Sequence, residues 1–238
     1  MEDRRKTSGN ILSFYDSESP VATEFRRVYS NLRNYLPGQE IKSVLVTSSA
    51  LGEGKSTLAS LLSIEIAHRH NKKVILIDCD LRRPNLHRLF SLNQERGLSE
   101  LLQGKVNFQE CLQSTPLENL KVMTSGQETN TPADLMDTPY LQEVIAEAKL
   151  YSNLVIADCA PVIPVSDPLI IGPLMDGAIL VLKAGFTQVE VAKRAVEILR
   201  NAQVKLLGVI MNNMDEVLPY YYSYKYYGYE YGYSKKRK

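Results

Sequence analysis

The chain has no long uninterrupted apolar run, so it offers no candidate for a membrane-spanning helix, and residues 1–6 are too polar to read as a signal peptide. A cytosolic protein is the expectation. Cysteine is scarce: Cys79, Cys111 and Cys159 form an odd set without metal-ligand spacing, and two of them stand inside apolar runs. That excludes a disulfide framework and points to buried thiols in a reducing compartment. Excess charge of either sign is missing too, with 28 Lys and Arg against 27 Asp and Glu, so nothing global draws the chain to nucleic acid. The basic residues 235–238 read as a solvated terminus. No internal repeat is visible. What the chain does have is 44% hydrophobic residues over 238 positions, enough for one sizeable core.

Runs rich in Val, Ile and Leu occur at 43–47, 74–77, 120–123, 154–157, 178–182 and 206–211, most without in/out alternation. Such runs suit strands buried on both faces, as in a parallel sheet. Helical spacing lies between them at 56–70, 133–149 and 189–202. Alternating strand and helix predict a doubly wound α/β fold with a mainly parallel sheet and ligands at the carboxyl ends of the strands. Ahead of it, residues 1–20 read as a mobile polar leader and 21–36 as a helix, centred on 23–35. Residues 37–218 form the predicted domain, and 219–238 a tail.

Residues 44–57 read Val-Leu-Val-Thr-Ser-Ser-Ala-Leu-Gly-Glu-Gly-Lys-Ser-Thr, an apolar strand entering a glycine turn at a helix start. Gly52 and Gly54 let backbone N–H groups wrap a polyphosphate, with Glu53, Ser56 and Thr57 in the same turn. Lys55 adds a point charge and Ser56 a hydroxyl for Mg²⁺. ATP or GTP binding follows. Ser49 occupies the place where this pattern usually has its first glycine.

Three carboxylates lie at the ends of other predicted strands. Val74-Ile75-Leu76-Ile77 runs into Asp78-Cys79-Asp80-Leu81-Arg82-Arg83-Pro84, where strand alternation would point Asp78 and Asp80 the same way for a shared metal or a proton-accepting role. Helix capping is the structural alternative. Asp158 closes the run 154–157, in the manner of an aspartate that holds Mg²⁺ through its water shell. Asp167 is either a γ-phosphate sensor or a helix N-cap.

After Leu218-Pro219, nine of the fourteen tyrosines fall within residues 220–233, with no aliphatic residue among them. A segment so composed cannot build an ordinary core and reads as a disordered peptide beside the domain. It suits a phosphoacceptor, a self-adhesive tail, or a surface on which bases stack.

These motifs together resemble the Walker A, A′ and B set of the bacterial tyrosine kinases that accompany capsule and exopolysaccharide export. The likeness runs from about Glu24 to the C-terminus. Asp78, Asp80 and Arg82 match the family's distinctive second motif, Thr131-Pro132-Ala133-Asp134-Leu135 resembles its Asn-Pro-x-Glu-Leu stretch, and Asn212 stands where the family places an adenine-contacting asparagine. Ala160 and Lys183 depart from a usual proline and arginine. The resemblance implies a ParA/MinD-like P-loop fold, ATP and Mg²⁺ as cofactors, and Lys55, Asp78, Asp80 and Asp158 as the catalytic set, with Ser56, Asp80 and Asp158 serving the metal. It implies autophosphorylation in trans of Tyr220, Tyr221, Tyr222, Tyr224, Tyr226, Tyr227, Tyr229, Tyr231 and Tyr233. It further implies a ring assembled through Glu24 and Arg27, although Ser30 replaces the arginine at the motif's third position. The implied partners are a separate membrane polysaccharide co-polymerase as activator and a cognate tyrosine phosphatase, with the kinase at the inner face of the membrane. A switch ATPase of ParA/MinD type is the nearest alternative, but its signature lysine is absent at Ala50, and a nucleotide-sensing adaptor is another. No His-Arg-Asp loop or Asp-Phe-Gly motif is present, which excludes a eukaryotic-type kinase.

Overall fold

All six predicted strands form, and successive residues along them face opposite cores. In the second, Ile75 and Ile77 enter one apolar cluster while Val74 and Leu76 enter the other, which is why continuous rather than alternating runs were needed. Each such aliphatic side chain contributes about 1.5–3 kcal/mol on burial. The computed structural model describes residues 10–35, 38 and 40–214; the expectations for residues 1–9 and for the tyrosine tail lie outside the described residues.

A short 3₁₀ turn at Ile11–Phe14 precedes α1 (Pro20–Arg33), β1 (Ser43–Ser48), α2 (Lys55–Arg69), β2 (Val74–Asp78) and α3 (Leu86–Phe90). Then come α4 (Leu98–Leu102), α5 (Phe108–Cys111), β3 (Gln113–Ser114), β4 (Leu120–Met123), α6 (Pro132–Met136) and α7 (Pro139–Tyr151). The domain closes with β5 (Leu154–Asp158), α8 (Asp167–Ile171), a 3₁₀ turn at Gly172–Leu174, β6 (Ala178–Lys183), α9 (Val189–Asn201) and β7 (Leu206–Asn212). Sheet order is β3-β4-β2-β5-β1-β6-β7, parallel except for the two-residue β3.

Three expectations need correction. The predicted helix 133–149 is two helices, because Pro139 lacks the N–H needed to continue and holds Thr138 extended at φ −120°, ψ 148°. At the sheet edge, β7 leaves Val209 and Met211 exposed, while Leu206 packs on one core and Leu207 and Ile210 on the other, so this strand is only partly covered. The N-terminal helix, expected over 21–36, runs Pro20–Arg33, with the Ser19 side chain capping it by accepting from Ala22 N at 3.1 Å; residues 10–19, expected within a mobile leader, are instead docked, Ile11 in the core and Asn10 and Tyr15 hydrogen-bonded to Phe90 and Glu65. Its stripe of Ala22, Phe25, Tyr29 and Leu32 packs on α2. Helix α2 is therefore covered by both α1 and the sheet. Its buried Ser60 and Ser63 satisfy their hydroxyls by donating to Ser56 O and Ala59 O, each at 2.7 Å.

Candidate nucleotide and phosphoryl-transfer site

The strand order sets the ends of β2, β5 and β1 side by side, with Asp158 in register with Asp78 on one flank and Val46 on the other. The turn after β1 therefore opens next to both acidic strand ends. Within it, Gly52 (φ 79°) and Gly54 (φ 94°) take left-handed backbone that other residues resist. Gly54 is constrained twice, for a Cβ there would stand 2.3 Å from Asn212 Nδ2.

Glu53 holds this turn from beneath. Its buried carboxylate accepts from Ser49 Oγ at 2.8 and 3.0 Å, from Ala50 N at 2.8 Å and from the Thr187 hydroxyl, which arrives from the segment after β6. The serine in place of the customary glycine thus has a partner of its own. Expected among the nucleotide-contacting residues, Glu53 instead spends its side chain inside the loop, and only its backbone is left to face a phosphate. Asn212, at the end of β7, donates to Glu53 O at 2.9 Å and accepts from Asn213 N at 2.9 Å, so it too grips the loop. Thr187 carried no motif and was missed; nothing local in the sequence marks it.

Lys55, the first residue of α2, reaches Asp80 Oδ2 at 2.8 Å, Asp158 Oδ1 at 3.7 Å and Ser56 Oγ at 3.3 Å. Burial alone would lower the Lys55 pKa, but the charges of Asp158, Asp80 and Asp78 outweigh it and raise the value, so the ammonium persists. Asp158 is fully buried and neither of its oxygens has a hydrogen-bond partner. Burial pushes its pKa up, with Lys55 pulling the other way. A buried carboxylate with no hydrogen bond to either oxygen, and only Lys55 nearby at 3.7 Å, suits a hard divalent cation, so Mg²⁺ fits the residues present.

Asp78 and Asp80 do not share a direction. Strand β2 ends at Asp78, and alternation ends with it. Asp78 Oδ1 accepts from Asp80 N at 3.2 Å, and Oδ2 accepts from Asn85 N at 3.0 Å and Leu86 N at 2.9 Å, which folds residues 79–86 around a fully buried carboxylate. Burial and the neighbouring Asp158 raise its pKa against the pull of those backbone donors. Asp80 turns to the cleft, its Oδ1 accepting from Arg83 N at 3.0 Å. Arg82 forms a two-pronged pair with the fully buried Asp167, Nε to Oδ2 at 2.9 Å and Nη2 to Oδ1 at 3.3 Å. Asp167 accordingly does not cap α8 through its side chain; paired with Arg82, it ties the loop after β5 to the loop after β2.

Gly52, Gly54, Lys55, Ser56, Thr57 and Asp80 line one cleft of about 500 Å³. A larger hollow, about 650 Å³, lies at the opposite end of the sheet around Tyr29, Arg33, His70 and Lys72, but no strand-end aspartate lines it. Glu24 and Arg27 stand in the middle of α1, paired to each other at 2.7 Å. No helix among the described residues is long and apolar enough to cross a membrane.

A phosphate turn, a lysine at the helix start and aspartates on neighbouring strand ends define a P-loop NTPase. The ParA family, described as NUBPL iron-transfer P-loop NTPase, matches residues 40–234. Among the described residues, no group of three or more His, Cys, Asp or Glu is placed to hold a metal ion. Tyrosine-protein kinase YwqD of Bacillus subtilis (strain 168) is 36% identical over 92% of this chain and 91% of its own length. The kinase domain of Escherichia coli tyrosine kinase ETK superposes with a TM-score of 0.82 at 28% identity, covering 88% of this chain and 82% of that one. The chimerical protein CapA2B2 gives a TM-score of 0.80 at 29% identity, covering 84% and 88%. The chain belongs to the ParA family of P-loop NTPases and, within it, to the bacterial tyrosine-protein kinases.

Proposed function

We propose that the cleft binds ATP with Mg²⁺ and passes the γ-phosphoryl group to tyrosines at the C-terminus of another copy of the chain. The observation that carries this is the meeting of Lys55, Asp80 and Asp158 over one glycine turn. Backbone N–H groups of residues 52–57 cradle the phosphates, and Lys55 moves from Asp80 to the β/γ oxygens. Ser56, Asp158 and Asp80 would hold the metal, directly or through water. When bound, Mg²⁺ supplies positive charge to the phosphate oxygens as the phosphoryl group transfers. Once Lys55 has turned away, Asp80 Oδ2 is free to receive the tyrosine hydroxyl. The phenolic oxygen bonds to the γ-phosphorus, the bond to the ADP oxygen breaks, and the proton passes to Asp80. Asp78 acts at one remove, by shaping the 79–86 loop that aims Asp80. Asn212 stands at the loop's rim, where it contacts adenine.

Each phosphotyrosine adds about −1.5 to −2 charge. A multiply modified tail, Tyr220 to Tyr233, is therefore repelled by Asp80 and Asp158, and a ring joined through Glu24 and Arg27 loosens. A separate membrane co-polymerase stimulates the kinase at the inner face of the membrane, a tyrosine phosphatase resets it, and the cycle regulates capsule or exopolysaccharide export. The kinases this chain resembles, and the tyrosine-rich tail itself, support that reading. Mapping modified residues after incubation with Mg·ATP tests it: phosphotyrosine within 220–233, abolished in Lys55→Met, is expected. Free phosphate without phosphotyrosine would instead mean a switch ATPase.

A further inference from the structure

The N-terminal side of the domain holds a tyrosine for which phosphate chemistry in the cleft has no use. Residues 10–19 form a strap along α2 and α3. Asn10 Nδ2 donates to Phe90 O at 3.0 Å, Ile11 is buried in the core, the Tyr15 hydroxyl donates to Glu65 Oε2, and Glu18 pairs with Arg69 at 3.1 Å. Glu65 is the unexplained member. It is fully buried in α2, its second oxygen Oε1 has no hydrogen-bond partner, and it lies about 15 Å along the helix from Lys55. Burial raises its pKa, Arg69 and His68 lowering it in part.

Other described tyrosines are placed differently. Tyr29 is in the core, Tyr140 and Tyr151 belong to the regular turns of α7, and Tyr35 donates to the backbone oxygen of Leu206. Among the described tyrosines only Tyr15 hydrogen-bonds a carboxylate, and it does so from extended backbone (φ −79°, ψ 120°) between exposed Phe14 and Asp16.

We propose that Tyr15 is a second phosphoacceptor, modified when the strap lifts, and that its phosphorylation prevents the strap from docking again on α2. This rests on the kinase activity described above, with ATP as the donor. The Tyr15 oxygen bonds to the γ-phosphorus, ADP leaves, and the phenolic proton goes to the active-site carboxylate. The hydroxyl already touches Glu65, so a phosphorus and three charged oxygens have no room beside that buried oxygen. His68, whose ring stands 6.1 Å from that of Tyr15, and Arg69 are the cations that could hold the phosphate instead. Both are exposed, and Arg69 is engaged by Glu18, so their screened attraction is weaker than the dry contact with Glu65. Because the strap also bonds to the end of α3, its release loosens the helix that follows the Asp80 loop.

The test incubates the full-length chain with Mg·ATP, maps phosphosites over time, and reads amide exchange across residues 10–19 in the modified and unmodified fractions. Phosphate on Tyr15 as well as on the tail is expected, both lost in Lys55→Met, with strap exchange at least about tenfold faster once Tyr15 is modified. Tail phosphotyrosine beside an unmodified Tyr15 overturns this inference and leaves the kinase reading standing. No phosphotyrosine anywhere overturns both. Phosphate on Tyr15 with exchange unchanged or slowed overturns the release.

Discussion

Thr187→Val removes the hydroxyl that reaches from the end of β6 into the phosphate loop, and its cost follows from two bonds. The hydroxyl donates to the buried Glu53 carboxylate and accepts from Lys183 N at 3.0 Å. A hydrogen bond to a charged group contributes about 1.5–3 kcal/mol, so about 2 kcal/mol of support for the loop is lost while the valine keeps the shape of the side chain. Ser49 and Ala50 still hold Glu53, so the fold survives and the loss falls on the loop's readiness to receive phosphates. At about 1.4 kcal/mol per tenfold, ADP binding weakens by about thirtyfold. Titration calorimetry with ADP measures it, alongside the melting temperature of the nucleotide-free chain. Thr187→Ser, which keeps the hydroxyl, restores affinity. A valine variant that binds ADP as tightly as the parent, with the full cost appearing as a fall of about 4–8 °C in melting temperature, would refute the idea that Glu53 sets the loop's shape.

Three further outcomes follow from the same geometry. Asp158 and Asp78 have folded pKa values raised above the usual 3.8. Their protonated forms favour the fold, so the nucleotide-free chain loses stability as pH climbs from the ordinary carboxylate value through the raised ones; Asp158→Asn flattens that slope in thermal melts and abolishes the Mg²⁺ dependence of ADP binding. Arg82→Ala strands the buried Asp167, and because the arginine is 36% exposed the cost is discounted to about 2 kcal/mol, read by urea denaturation. Gly54→Ala combines left-handed backbone with a clash against Asn212, a strain of about 1–3 kcal/mol, and loses nucleotide binding in calorimetry while α/β circular dichroism is retained.

The sheet was legible because parallel strands buried on both faces leave an uninterrupted apolar signature, and the ends of those runs located Asp80 and Asp158. Helices α2 and α9 were legible through their length. Helices of four or five residues, such as α5, complete barely one turn and are held by caps such as Asn107 on Glu110 N, so periodicity could not reveal them. The pairing of Asp78 with Asp80 failed at a strand boundary, which a pattern of period two does not announce. Glu53 and Thr187 meet across 134 positions, and Arg82 and Asp167 across 85, distances over which no local motif speaks. Tyr15 and Glu65, 50 positions apart, were invisible for the same reason.

Transfer between copies is tested most directly by mixing two variants with Mg·ATP. One copy keeps its tail but carries Lys55→Met; the other keeps its cleft and ends before residue 219. Phosphotyrosine on the tail of the Lys55→Met copy is the predicted result. A mixture in which that tail stays unmodified, while the unaltered chain modifies its own, would contradict transfer from one molecule to the next.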